Sequence, residues 1–249
     1  MALSPGVMNK FNLRIPTAED TGGEYIRSLI AEGEHERLDF KFQVNDSKKI
    51  ARTLCAFSNT SGGRLLVGVK DNGAIAGMRS EEEYYMIQAA AEMYSRPKVQ
   101  FTAREWEVEG RTVLEVIIPR DASQLYASID KDGKYKVFTR VKDQNFEVNN
   151  VWLKAYRWRR REAGVFVRYS DKEISLFKLL EQDQLITLPQ FCKISGISYK
   201  HAENILAAFI ALDVIEMVFS EKGTYYRYTD NFLELTPEQK DHTIKSFIT

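Results

Sequence analysis

Two cysteines in 249 residues are too few for a disulfide scaffold or a cysteine-rich zinc site. Cys55 and Cys192 stand far apart and belong to no paired motif, so the sequence predicts a reducing compartment and a cytoplasmic location. No apolar run reaches the roughly 18 residues that a spanning helix needs, so no membrane partner is expected. Met1 to Arg14 lacks an apolar core followed by small residues, and no secretory signal is expected there. Histidine is scarce: His35, His201 and His242 are scattered and form no metal-ligand pair. There is no Walker-type lysine motif, no internal repeat and no low-complexity stretch. Net charge is missing as well, since 35 basic residues balance 35 acidic ones.

What is present suits an ordinary folded core, with 44% hydrophobic and 28% charged residues. The charge balance is uneven along the chain. Phe146 to Ser170 carries 6 basic and 2 acidic residues, whereas Asp171 to Thr249 carries 8 basic and 12 acidic. Basic character therefore peaks mid-chain and gives way to a mildly acidic C-terminal third.

Periodicity predicts a helix over Glu24–Ala31, a strand at Leu38–Phe42, and a helix after Asp46 or Ser47 with Ile50, Leu54 and Cys55 on its apolar face. Ser61-Gly62-Gly63 follows that helix and leads into a strand at Leu65–Val69. Phosphate loops place glycines before a helix, so a helix stop and close backbone packing are expected here instead. Asp71-Asn72-Gly73 predicts a turn. A helix at Glu81–Tyr94 and strands at Val99–Val108, Thr112–Ile118 and Tyr135–Val141 follow, then a helix from Val148 to about Glu162. The last third predicts three helices, at Asp171–Leu180, from Thr187, and at Tyr199–Leu212. A hairpin of Val214–Phe219 and Tyr225–Thr229 comes next, the order of a winged helix-turn-helix. Thr236-Pro237-Glu238-Gln239 has capping-box spacing and opens a final helix.

Asp39 and Lys41 share one face of their strand, with Glu34 just upstream and Asp71 at the end of a neighbouring strand. Three carboxylates and one ammonium at one point could bind magnesium or manganese and cleave a phosphodiester. The structural alternative is that Lys41 pairs with Glu34 or Asp39 and that Asp71 merely opens its turn. Lys48, Lys49 and Arg52 near a helix start, with Lys70, Arg140 and Lys142, could track a phosphate backbone, or form a solvated face. Arg157 and Arg161 lie among Trp152, Tyr156 and Trp158, a mixture that suits nucleic acid or an interdomain helix. On the helix from Tyr199, Lys200 could meet a phosphate or guanine and Asn204 an adenine.

Gly33-Glu34, Leu38-Asp39-Phe40-Lys41, Ile50-Ala51-Arg52, Cys55-Ala56-Phe57-Ser58-Asn59-Thr60, Gly62-Gly63 and Gly68-Val69-Lys70-Asp71-Asn72-Gly73 resemble, in that order, the Schlafen-type Alba-like domain. Asp132-Gly133 to Arg140-Val141 is similar to its closing strand. The resemblance implies a compact α/β nucleic-acid-binding domain. Bacterial members carry DNA-binding or transcriptional-regulator labels. In animal Schlafens a related domain is a metal-dependent RNA endonuclease with three carboxylates, which would fall on Glu34, Asp39 and Asp71 here, with Lys41 beside them. Those enzymes build a clamp from two such domains, which implies a homodimer for a chain with one.

The sequence therefore predicts an α+β protein: a leader at 1–19, a Schlafen/Alba-like α/β domain with a mixed sheet at 20–145, a basic connecting helix at 146–170, a winged helix-turn-helix at 171–230 and a helical tail at 231–249. The expected function is nucleic-acid binding, as a bacterial-type DNA-binding transcriptional regulator. The competing readings are a magnesium- or manganese-dependent endoribonuclease and a protein-interaction module. No cofactor is expected outside the nuclease reading, and ATP is not expected.

Overall fold

The computed structural model describes residues 22–162, 164–167 and 170–246, so the predicted leader lies outside the described residues. The chain divides into two compact units, Met1–Glu147 and Val148–Thr249.

The first unit contains α1 (Gly22–Glu32), β1 (Leu38–Lys41), α2 (Ser47–Asn59), β2 (Gly63–Val67), α3 (Glu82–Glu92), β3 (Ser95–Arg96), β4 (Thr102–Val108), β5 (Arg111–Ile118), β6 (Ala127–Ile129), β7 (Tyr135–Val141) and β8 (Gln144–Glu147). One sheet has the order β1-β2-β5-β4, with β1 and β2 parallel and the other pairs antiparallel. The second sheet, β3-β6-β7-β8, is antiparallel throughout. Helix α2 packs on strands of both sheets.

Strand β2 explains the layering. Its five residues are all buried, because helices cover both faces of the first sheet. Leu65 and Val67 join Ile50, Leu54 and Ile87 in one core, and Leu66 joins Tyr25, Phe40 and Trp106 in the other. Each fully buried Leu or Ile side chain contributes about 1.5–3 kcal/mol. The second core also encloses Glu115, whose carboxylate accepts from Tyr25 Oη at 2.7 Å and Trp106 Nε1 at 2.9 Å and lies 2.7 Å from Arg64 Nε. That buried charge is tolerable because it is both paired and hydrogen-bonded.

The Ser61-Gly62-Gly63 segment stops α2, with the Gly62 amide donating to Phe57 O at 2.8 Å. Gly62 has φ +68, and a Cβ on Gly63 would meet the Phe57 ring at 2.3 Å. Positive φ and close approach are what these glycines supply.

The second unit contains α4 (Asn150–Arg159), α5 (Asp171–Asp183), α6 (Leu188–Ser195), α7 (Tyr199–Ala211), the antiparallel hairpin β9 (Ile215–Ser220) and β10 (Gly223–Tyr228), α8 (Asp230–Leu233) and α9 (Pro237–Ser246). Caps set the boundaries. Thr187 and Gln190 form a capping box at α6, Gly196 ends it in the left-handed region, and Ser198 caps α7. A bridge between Ile186 and Tyr226 ties the segment before α6 to the hairpin. Among the described residues, no helix is long and apolar enough to cross a membrane.

Candidate nucleic-acid interface

Parallel pairing brings the C-terminal ends of β1 and β2 to the same edge, and the chain after β1 turns directly into α2. Lys41, Phe42 and the first turns of α2 are thereby set close together. Asp46 caps α2, its carboxylate accepting from the Lys48 and Lys49 amides at 2.9 and 3.2 Å. The helix terminus is thus already satisfied, and any contact to an anion falls to side chains. Lys48, Lys49 and Arg52 are exposed, and among the described residues none of them pairs with a carboxylate. Arg52 lies 4.9 Å from the Phe138 ring centre, which steadies the guanidinium without neutralising it.

Two grooves flank this start of α2. One, of about 430 Å³, is lined by Lys41, Lys49, Arg52 and Asp143 among others. The other, of about 410 Å³, is lined by Lys48, Lys49, Arg52 and Lys131. Both also include Asp46. Lys142 is exposed in the β7–β8 turn with φ +56, next to Asp143.

Lys70 is exposed and lies 5.3 Å from the ring centre of Phe42, and Arg79 lies 5.1 Å from the same centre. Phe42 and Arg79 were missed by the sequence reading. Leu38 and Phe40 are buried, and Phe42 continues their alternation yet is 37% exposed, because the strand ends at Lys41. A cation held on a ring keeps its charge for an outside anion, which one held by a carboxylate does not.

Arg140 is the main correction. It was expected at the phosphate face, but its side chain is fully buried. Its Nη2 donates to Asp39 Oδ1 at 2.9 Å and to Leu38 O at 3.3 Å, its Nε to His35 O at 3.2 Å and its Nη1 to Asn145 Oδ1 at 3.1 Å. The guanidinium also sits 4.7 Å from the Phe57 ring centre. Arg140 is a strut tying β7 to β1, with four of its five N–H donors taken up inside the protein.

The expected carboxylate triad does not assemble. Asp39 lies between Arg140 and Lys41, whose Nζ is 2.6 Å from Oδ2 and also donates to Phe40 O at 2.8 Å. Glu34 accepts from the Phe40 amide at 2.8 Å and lies beside Asp39. Asp71 is exposed. The turn it opens is closed by Gly73 N donating to Lys70 O at 2.8 Å and by the Val69–Ile75 bridge, which carry Asp71 out to solvent. Among the described residues, no three His, Cys, Asp or Glu side chains form a metal-holding group. A divalent ion held by Glu34, Asp39 and Asp71 does not fit this arrangement, since the one buried carboxylate already has two internal cations.

Burial raises the Glu34 pKa above its ordinary 4.5, and the neighbouring Asp39 carboxylate adds to this, against the opposing Phe40 amide and Lys41. A raised folded-state pKa means the folded chain holds this proton more tightly than the unfolded chain. Stability is therefore lost as pH rises from 4.5 through the folded value. Glu34→Gln keeps an acceptor for the Phe40 amide and removes the charge. It is expected to raise the melting temperature at pH 7 and to leave it unchanged below about pH 4. Parallel wild-type and variant melting curves from pH 3 to pH 8 would contradict this.

In the second unit, Arg157 and Arg161 are exposed, with Arg157 Nε donating to Leu153 O at 3.1 Å and Arg161 5.6 Å from the Trp158 ring centre. Trp152 and Tyr156 stack at 5.5 Å. Lys200 is exposed at the start of α7. Asn204, expected to read a base, instead faces α4: its Oδ1 accepts from Lys154 Nζ at 2.8 Å, and Lys154 also pairs with Glu203 at 2.8 Å. Asn204→Ala should cost about 1 kcal/mol of stability and leave any nucleic-acid affinity unchanged, measured by urea titration and fluorescence anisotropy.

Compared with known proteins, the first unit has a counterpart. Residues 34–149 match the Schlafen, AlbA_2 family model. The AlbA_2-like region therefore takes in β1, α2 and both sheets, and with them every exposed cation described around α2. It covers just under half of the chain. Two solved structures show weak likeness. The DIP2311 protein from Corynebacterium diphtheriae is 20% identical at a TM-score of 0.37, over 53% of this chain and 31% of that one. The N-terminal domain of a RecG-related ATP-dependent DNA helicase-like protein from Nitrosomonas europaea is 21% identical at a TM-score of 0.35, over 47% of this chain and 82% of that one. The chain thus spans under a third of the Corynebacterium protein. No curated protein matches.

Proposed function

We propose that this is a nucleic-acid-binding protein acting as a DNA-binding transcriptional regulator. The observation that carries the reading is the set of exposed cations around α2. Lys48, Lys49, Arg52, Lys70 and Lys142 have no carboxylate partner among the described residues, in a chain with no net charge to attract polyanions generally. Phosphate contacts of this kind supply most of the affinity and none of the sequence preference. The AlbA_2 match over residues 34–149 supports the same association. In the second unit, α5, α6 and α7 followed by the β9–β10 hairpin support a winged helix-turn-helix, with Lys200 exposed on it and Arg157 and Arg161 exposed on the segment before it. The acidic excess of that third makes it the weaker contact.

The test is to incubate the full chain with labelled structured RNA and with duplex DNA, with manganese or with chelator, and to run native and denaturing gels. Retarded but intact nucleic acid is expected in both conditions, with retardation weakening steeply as salt rises. No retardation of either at 50 mM salt, an ordinary low-salt condition, would sink the proposal. Manganese-dependent cutting abolished by Asp71→Ala would replace it with the endonuclease.

A further inference from the structure

The largest cavity described in the second unit, about 780 Å³, takes no part in the proposed nucleic-acid contacts. It lies among the C-terminal half of α5, the β9–β10 hairpin, α8 and Lys240 of α9, and its volume is that of a small-molecule site. One wall is aromatic. Phe177 and Tyr228 are 6.1 Å apart with planes at 26°, and Tyr228 and Phe232 are 5.2 Å apart at 29°, so the three rings form one stack on the lining, with Phe177 and Phe232 themselves buried. Leu185 and Leu233, 41% and 51% exposed, supply further apolar lining where water now touches it.

The charged groups on the cavity are unequal. Arg227 is already neutralised, by Glu216 at 2.5 Å and Asp230 at 3.4 Å. Lys240 is not: its Nζ donates to Leu233 O at 3.2 Å and lies 5.7 Å from the Phe232 ring centre, and no carboxylate among the described residues pairs with it. An ammonium poised at the end of a stacked aromatic wall calls for a flat ring that carries an anion. Glu181, also on the lining, opposes an anion and would set an upper limit on its affinity.

We propose that this cavity binds a small aromatic carboxylic acid, its ring held between the edge of the Phe177–Tyr228–Phe232 stack and the exposed Leu185 and Leu233 and its carboxylate on Lys240. Apolar contact supplies most of the affinity, and the charge pair fixes orientation and rejects aromatic amines.

The test is calorimetric titration of the full chain with indole-3-acetate and phenylacetate, with tryptamine as the cationic control. Saturable one-to-one binding of the acids and none of tryptamine is expected. Lys240→Gln should weaken binding about tenfold, a loss of about 1.4 kcal/mol. Glu181→Gln should strengthen it about threefold, since it removes a like charge. Leu233→Glu, at an exposed position, should abolish it while the circular dichroism spectrum stays unchanged. Absence of saturable binding by folded wild-type protein would overturn the proposal. So would equal binding by Lys240→Gln, or binding of tryptamine as tight as that of the acids. Amide shifts at the cavity that depend on protein concentration with no acid present would assign the cavity to a second copy of the chain instead.

Discussion

Arg140→Ala is expected to destabilise the first unit by about 3–5 kcal/mol, a large share of what a domain of this size has. Its Nε, Nη1 and Nη2 all donate, to the loop before β1, to β8 and to β1, and its removal leaves the 4%-exposed Asp39 carboxylate with only Lys41 as a paired cation. The carbonyls of His35 and Leu38 lose a donor at the same time. The cost comes from abandoning partners that cannot regain water, not from the pair's own attraction. Replacing both charges, as Asp39→Leu with Arg140→Met, should therefore cost less than Arg140→Ala alone. Urea unfolding followed by circular dichroism measures both. A loss under about 1 kcal/mol in Arg140→Ala, the range of a solvated surface pair, would mean that the guanidinium is not sealed from solvent.

Arg140 also marks the limit of what one sequence discloses. The strand that carries it was predicted with its observed ends, Tyr135–Val141. Nothing in the local pattern of that strand separates an arginine facing water from one facing Asp39, 101 residues away. Periodicity reports which positions alternate, whereas the partner of a buried charge is fixed by tertiary packing. Asn204 misled for the same reason: its position on the helix was right, and α4 covers its side chain. Short strands escaped too. β3, β6 and β8 have two to four residues each, below the length at which alternation can be recognised, and they are held by the second sheet instead of by their own propensity. Caps fared better because they are local chemistry. Asp46 and Thr236 both stand where side chain and backbone settle a boundary without distant help. The carboxylate group divides along the same line. The Asp39–Lys41 pair lies within one strand and was open to inspection, but whether Asp71 joins them depends on a turn closing outward.

Reversing Lys48, Lys49 and Arg52 to Glu together should weaken nucleic-acid binding several hundredfold at about 0.1 M salt. Each phosphate contact contributes roughly 0.9 to the slope of log affinity against log salt. Three lost contacts therefore lower the slope by about 2.7, which at 0.1 M is about 2.7 decades of affinity. None of the three is buried or ion-paired among the described residues, so folding should be retained and the melting temperature nearly unchanged. The substitution also shifts a balanced chain strongly negative, and a control must separate place from total charge. Reversing Lys98, Arg104 and Arg120, also exposed and not on α2, makes the same change in net charge, Lys98 giving up a solvent-exposed pair with Glu92 at 3.7 Å. If α2 is the contact surface, the control loses less than about tenfold and keeps its salt slope. Equal losses in the two triple variants would mean that the chain answers only to its overall field, and that α2 holds no privileged place in binding.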